Sequence, residues 1–151
     1  MLPLALNCAG RKVLLVGGGP VATRKYKNLL EAGAEITLIT PEASPYLQEQ
    51  AERGELTWHR RVFTEEDLDG AWLVFAAVDN QAVNQRIAQL CEERRIWFWL
   101  GGQPEDSAFW SMAQAHQQGV TVAVSASRRP RLAKELAAKL SDWLRENLPD
   151  L

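Results

Sequence analysis

The chain has 151 residues, 46% of them hydrophobic, with 17 basic side chains against 19 acidic ones for a net charge of −2. That length fits one domain with at most a small appendage. The near-neutral balance excludes the broad positive footprint of a nucleic-acid binder, and no apolar run is long enough to cross a bilayer. Cys8 and Cys91 stand far apart and make neither a C-x-x-C pair nor a zinc set; they read as buried thiols of a reducing cytoplasm. The opening MLPLALNCAG lacks the basic n-region and long h-region of a signal peptide, so a cytoplasmic protein is expected. His59 and His116 have no partner at metal-ligand spacing, and no metal site is expected.

Lys12–Val16 is a β-leaning apolar run that enters Gly17-Gly18-Gly19. Pro20 opens a helix that runs to Ala32, with Gly33 at its C′ position. Together they make a G-x-G-x-x-G/A fingerprint with Gly17, Gly19 and Ala22 at the three small positions. Gly17 permits the tight turn, Gly19 lets backbone approach a pyrophosphate, and Ala22 keeps the helix near the sheet. The helix N-terminus, at Pro20 and Val21, offers free N–H groups and a positive dipole end to phosphate. Glu35–Ile39 is the second strand. Ser44 reads as an N-cap, with Pro45 at N1 of a helix to Arg53 that Gly54 closes. A short strand is expected at Leu56–His59, and Thr64–Asp67 resembles a capping box.

Trp72–Val78 is a continuous apolar run, as in a strand buried on both faces. Asn80 caps a helix over Gln81–Arg94, whose Val83, Ile87, Leu90 and Cys91 share a stripe. Ile96–Leu100 is the fifth strand. Strands alternating with helices at this spacing predict an α/β fold, a Rossmann-like doubly wound parallel sheet. Ala108–Gln118 is ambiguous between helix and strand. Val120–Ser125 alternates like a strand, and Pro130–Leu148 is an amphipathic helix with Leu132, Leu136, Leu140, Trp143 and Leu144 on one face. A dinucleotide-binding domain over residues 1–106 and a dimerisation region over 107–151 are expected. The short strand-helix appendage buries itself against a partner chain, giving a homodimer, or folds back on its own sheet.

The segments LPLALNCAGRKVLLVGGGPVATRK, LLEAGAEITLITPE, LTWHRRVF and DLDGAWLVFAAVDNQAVNQRIAQLCEERRI carry a resemblance. The chain resembles the precorrin-2 dehydrogenase/sirohydrochlorin ferrochelatase family, the N-terminal part of siroheme synthase, from Leu2 to about Leu148. The resemblance implies NAD-dependent oxidation of precorrin-2 to sirohydrochlorin in siroheme biosynthesis, with NAD as cofactor and a tetrapyrrole as substrate. It also implies that a C-terminal helical domain of fuller members is missing. Some members insert iron as well. The family usually reads N-V-V-D after the fifth strand; here the stretch is Trp99-Leu100-Gly101-Gly102, so Gly102 falls where the catalytic aspartate stands. A glycine offers no side chain to a proton, a metal or a substrate, and this puts ferrochelatase activity in doubt. Asp106 is the nearest carboxylate that could substitute. The glycine-rich turn of the family becomes Ser125-Ala126-Ser127-Arg128-Arg129, whose cations suit either substrate carboxylates or a basic turn.

For the cofactor, Ala77, Asp79 and Asn84 match the family segment beside the nucleotide; Asp79 could instead cap the next helix. Thr40 stands at the end of the second strand; Glu42, past that end and after Pro41, lies about 20 residues beyond Ala22, where an acid would hold an adenosine ribose. Arg24 and Lys25 suit phosphate balance or a solvated helix face. The Trp97, Trp99 and Trp110 group suits packing or stacking on a flat ligand. Two functions follow: a dehydrogenase that works without the usual aspartate, or an inactive relative that binds NAD or a tetrapyrrole as an accessory, carrier or sensor.

Overall fold

β1 (Lys12–Val16) has four buried residues in succession. Val13 and Leu15 face one apolar cluster, and Leu14 and Val16 face the other. A strand with both faces covered is what a central parallel strand requires, and each such side chain contributes about 1.5–3 kcal/mol of burial. The protein is described here by a computed structural model, covering residues 2–127 and 129–148. Two compact units divide between Trp110 and Ser111.

In the first unit β1 pairs in parallel with β2 (Glu35–Ile39) on one side and β4 (Leu73–Ala76) on the other. With β3 (Thr57–His59) and β5 (Trp97–Leu100) the order is β3-β2-β1-β4-β5, all parallel. The chain reverses its winding between β1 and β4, which places the topological switch point at their carboxyl ends. α1 (Pro20–Glu31) and α2 (Pro45–Glu52) supply Tyr26, Leu29 and Leu47 to the first cluster. α3 (Gln81–Arg94) supplies Ile87, Leu90 and Cys91 to the second.

The local stop and start signals act as read. Gly33 (φ +70°) and the N–H groups of Gly33 and Ala34, bonded to Leu30 O and Leu29 O, end α1 in a Schellman motif. Ser44 Oγ accepts from Leu47 N at the start of α2, and Asn80 Oδ1 accepts from Ala82 N and Val83 N at the start of α3. The buried run Trp72–Val78 contributes only Leu73–Ala76 to the ladder. β5 is an edge strand, and its exposed backbone groups are partly covered. Leu100 N donates to Ser107 Oγ (2.9 Å) and Phe98 O accepts from Ala108 N (3.0 Å). This cover blunts an edge rich in large aromatics.

The second unit contains a strand that the sequence left undecided. β6 (Ala113–Gln117) and β7 (Val120–Val124) form an antiparallel hairpin. Its two-residue turn, Gln118-Gly119, has φ of +46° and +77°, the signs of the primed turns that match strand twist. α4 (Pro130–Asn147) buries Ala133, Ala137 and Leu144 within this unit, and Gln117 Nε2 donates to Ser141 Oγ at 3.1 Å. Of the apolar face expected on this helix, Leu144 is buried, while Leu136, Leu140 and Trp143 remain 38%, 36% and 56% exposed. Small alanine side chains are what let a helix sit close on a hairpin.

Candidate functional site at the carboxyl edge of the sheet

The turn that follows β1 is tighter than its glycine spacing shows. Gly17 has φ +108°, and a Cβ there would lie 2.3 Å from Ala77 O. A Cβ on Gly18 would lie 2.1 Å from Glu42 O and 2.7 Å from Ala43 Cα. Both contacts are with backbone, which has little room to yield. Hydrogen bonds hold the approach: Gly17 N to Ile39 O (3.0 Å), Ala77 N to Val16 O (2.7 Å) and Ser44 N to Gly18 O (2.8 Å). The three turns after β1, β2 and β4 therefore close on one another.

Gly19 differs from its neighbours. It is exposed, and nothing lies within 4 Å of where its Cβ would be. It is the N-cap of α1, with no side-chain cap and Pro20 at the first helical position. The first-turn N–H groups of α1 are thus left for an anion, with the helix dipole behind them. The fit to a dinucleotide pyrophosphate is good: a closed floor at Gly17 and Gly18, and an open approach at Gly19 and the exposed Pro20 and Val21.

The expected ribose segment adjoins this floor. Thr40 is buried, and its hydroxyl donates to Glu42 O at 2.7 Å, shaping the turn through Pro41. The side chains of Pro41 and Glu42 are exposed. Thr23 Oγ1 and Ser44 Oγ lie 2.7 Å apart, joining the N-termini of α1 and α2. A groove of about 620 Å³ opens there, with Arg24 and Lys27 on its α1 side and Ser44 and Tyr46 on its α2 side.

On the other side of β1, Ala77 is half-buried and Asp79 is exposed. Asn80, not Asp79, caps α3. Asn84 is 2% exposed, and its amide nitrogen donates to Val78 O at 3.0 Å. The structure thus brings Gly17–Gly19, Thr40–Glu42, Ala77–Asp79 and Asn84 to one edge.

Lys25 does not lie on a solvated helix face. It is 5% exposed, with Nζ 4.2 Å from the Trp99 ring centroid and 5.3 Å from that of Phe75. Burial, reinforced by the charge of Arg24, lowers its pKa from 10.5 to about 8. Trp99 also packs on Phe75 (centroids 5.8 Å), and Phe75 meets Phe109 edge-on at 5.5 Å. Trp99 is therefore used in packing. Trp97 is 42% exposed, and Trp110 Nε1 donates to Pro104 O at 2.6 Å.

After β5, Gly102 has φ +73° and open space where a side chain would stand. Asp106 is exposed in the 3-10 turn Pro104–Asp106. Gln103, to which sequence reasoning assigned nothing, carries a buried amide oxygen with no partner. Arg129 is exposed at the N-cap of α4, and Arg128 lies outside the described residues. Among the described residues no group of three or more His, Cys, Asp or Glu could hold a metal ion. His116 Nδ1 instead pairs with Thr121 Oγ1 at 2.9 Å.

A parallel sheet with an open phosphate cradle at its switch point defines a dinucleotide-binding protein, and comparison with known proteins places it. An NAD(P)-binding family model matches residues 4–113, and the chain belongs to that family. Precorrin-2 dehydrogenase of Bacillus subtilis is 35% identical over 139 residues, covering 91% of this chain and 85% of that protein. Siroheme synthase 3 of Aeromonas hydrophila is 37% identical over 148 residues, 97% of this chain. The chain spans 32% of that relative, about a third of its length. Among solved structures, SirC, a precorrin-2 dehydrogenase, superposes with a TM-score of 0.80 at 31% identity, covering 94% of this chain and 70% of that one.

Proposed function

We propose that the protein oxidises precorrin-2 to sirohydrochlorin with NAD⁺ in siroheme biosynthesis, in the cytoplasm. The observation that supports this most is the open cradle at Gly19 above the closed Gly17–Gly18 floor, in a chain akin to precorrin-2 dehydrogenase over 85% of that relative's length. Gly17, Gly19, Pro20 and Val21 receive the pyrophosphate. Thr40, Pro41 and Glu42 flank the adenosine ribose, and the Glu42 carboxylate favours NAD over a 2′-phosphorylated dinucleotide. Ala77, Asp79 and Asn84 flank the nicotinamide half. The bound dinucleotide supplies the hydride acceptor; the chain binds, orients and excludes water. Asp106, in the loop after β5, takes the accompanying proton. Arg128 and Arg129 bind substrate carboxylates as bidentate partners. The proposal stops at oxidation, because Gly102 gives iron insertion no side chain to work with.

A second reading is favoured by that same glycine: a relative that binds NAD or a tetrapyrrole without turning it over. The Gly102→Asp variant separates the two. Aspartate is among the side chains that tolerate positive φ, and the space is open, so a stability cost of only about 1 kcal/mol is expected. Under anaerobic conditions with NAD⁺ and precorrin-2, both proteins are expected to form NADH, the variant about tenfold faster or more, as a placed general base typically provides. An inert wild type beside an active variant supports the second reading.

The homodimer belongs to the same proposal. The uncovered stripe Leu136, Leu140 and Trp143 on α4 meets a second copy of the chain. Light scattering is expected to give a dimer for the wild type and a monomer for Leu140→Glu/Trp143→Glu. A dimeric double variant refutes that surface.

A further inference from the structure

Two buried side-chain oxygens in the first unit have no hydrogen-bond partner among the described residues, Asn84 Oδ1 and Gln103 Oε1. The orientation of Asn84 is fixed, because its nitrogen already donates to Val78 O; turning the amide would set oxygen against oxygen. The backbone of Gln103 is also held in place. Its N–H donates to Leu100 O at 3.3 Å, and its carbonyl accepts from Ser107 Oγ at 2.9 Å. The same Ser107 oxygen accepts from Leu100 N, so the loop after β5 is stapled shut around Gln103. Gly101, which leads into that loop, donates to Ala76 O at 2.8 Å. The Asn84 amide and the backbone entering the Gln103 loop are thus both bonded to the segment Ala76–Val78, at the switch point.

A buried amide oxygen without a donor costs about 1–3 kcal/mol. Native proteins meet that need with water or a ligand. Here the need falls one residue past Gly102, at which a Cβ would meet nothing within 4 Å. We propose that Gln103 is a ligand-positioning residue, whose amide oxygen, with that of Asn84, accepts hydrogen bonds from N–H groups of the bound reactants. The inference rests on the function proposed above. Two sources carry such a donor: the carboxamide of the nicotinamide ring and the pyrrole N–H groups of the tetrapyrrole.

The test uses the whole protein and Gln103→Leu, which keeps much of the volume and removes the amide. Three quantities are read: urea stability, the Kd of NAD⁺ and of its 3-acetylpyridine analogue, and kcat and KM for precorrin-2. The analogue carries a methyl ketone and has no N–H to give. Stability is expected to hold or rise, since an unsatisfied group is removed, while one reactant binds about tenfold more weakly. If the donor is the carboxamide, the Kd of NAD⁺ rises and that of the analogue does not. If it is the tetrapyrrole, KM rises with the Kd of NAD⁺ unchanged. Gln103→Glu, which retains an acceptor, is expected to restore binding, and it serves also if the leucine variant fails to fold: its affinity must then stay near that of the wild type. Affinities and KM within twofold of wild type in Gln103→Leu overturn the inference alone. A wild type that binds neither reactant overturns both this inference and the function beneath it.

Discussion

Gly18→Ala is expected to unfold or strongly destabilise the protein, by about 3 kcal/mol or more, while Gly19→Ala leaves stability within about 0.5 kcal/mol and weakens NAD⁺ binding 10- to 100-fold. The two residues are neighbours, and a fingerprint regular expression gives the second the larger role. The geometry reverses this for stability. A methyl on Gly18 would sit 2.1 Å from Glu42 O and 2.7 Å from Ala43 Cα. The turn after β2 would have to move away, pulling on the Ser44 N to Gly18 O bond and on the turn that Thr40 braces through Glu42 O. A methyl on Gly19 meets nothing within 4 Å and has no positive φ to resist it. It instead fills the space through which a pyrophosphate reaches the helix N-terminus. Urea unfolding and calorimetric titration of both variants check the crossed pattern. Equal losses in both assays for both variants would refute it.

Lys25→Met is expected to stabilise the protein at pH 7 by about 1–3 kcal/mol. The ammonium group is buried, with ring faces for neighbours. Those faces return part of its hydration, about 0.5–2 kcal/mol, but not all. The folded pKa is about 8 against an ordinary 10.5. Between these values the unfolded chain holds more protons than the folded one, so the stability contributed by this site rises with pH. Below pH 8 the burial penalty is present in full; it fades as pH climbs toward 10.5. The advantage of Lys25→Met is therefore expected to be largest near pH 7 and to shrink through pH 8 to 9.5. Taking the difference between the two proteins removes the opposing effect of Tyr26, whose pKa burial raises. An advantage that does not change with pH would show that Lys25 is solvated and keeps its ordinary pKa in the folded state.

Much of the first unit was legible because its signals are local. Strand runs such as Lys12–Val16 and Glu35–Ile39, caps such as Ser44 and Asn80, and the stops at Gly33 and Gly54 need only their own neighbours in sequence. The closure of the site was not legible. The contact of Gly18 with Glu42 joins two turns that the sequence separates, and no spacing rule encodes it. Lys25 was misread for a related reason. A lysine after an arginine in a helix reads as solvated or phosphate-facing, and only the tertiary approach of Trp99 and Phe75 makes it a buried cation. In the second unit, Gln118-Gly119 is a weaker hairpin signal than Asn-Gly, so β6 stayed undecided. The apolar pattern of α4 singled out its leucines, whereas close packing on a two-stranded hairpin selects Ala133 and Ala137. The Gln103 oxygen could not be seen at all, since an orphaned acceptor is defined by what surrounds it.

We propose that this site oxidises precorrin-2 although Gly102 stands where the family resemblance implies an aspartate. The most direct measurement is an anaerobic incubation of the wild-type protein with precorrin-2, with and without NAD⁺, recording the visible spectrum for sirohydrochlorin and the near-ultraviolet for NADH. Both products are expected to rise together, in equal amounts, and only when NAD⁺ is present. Bound NAD⁺ with neither product formed would contradict it.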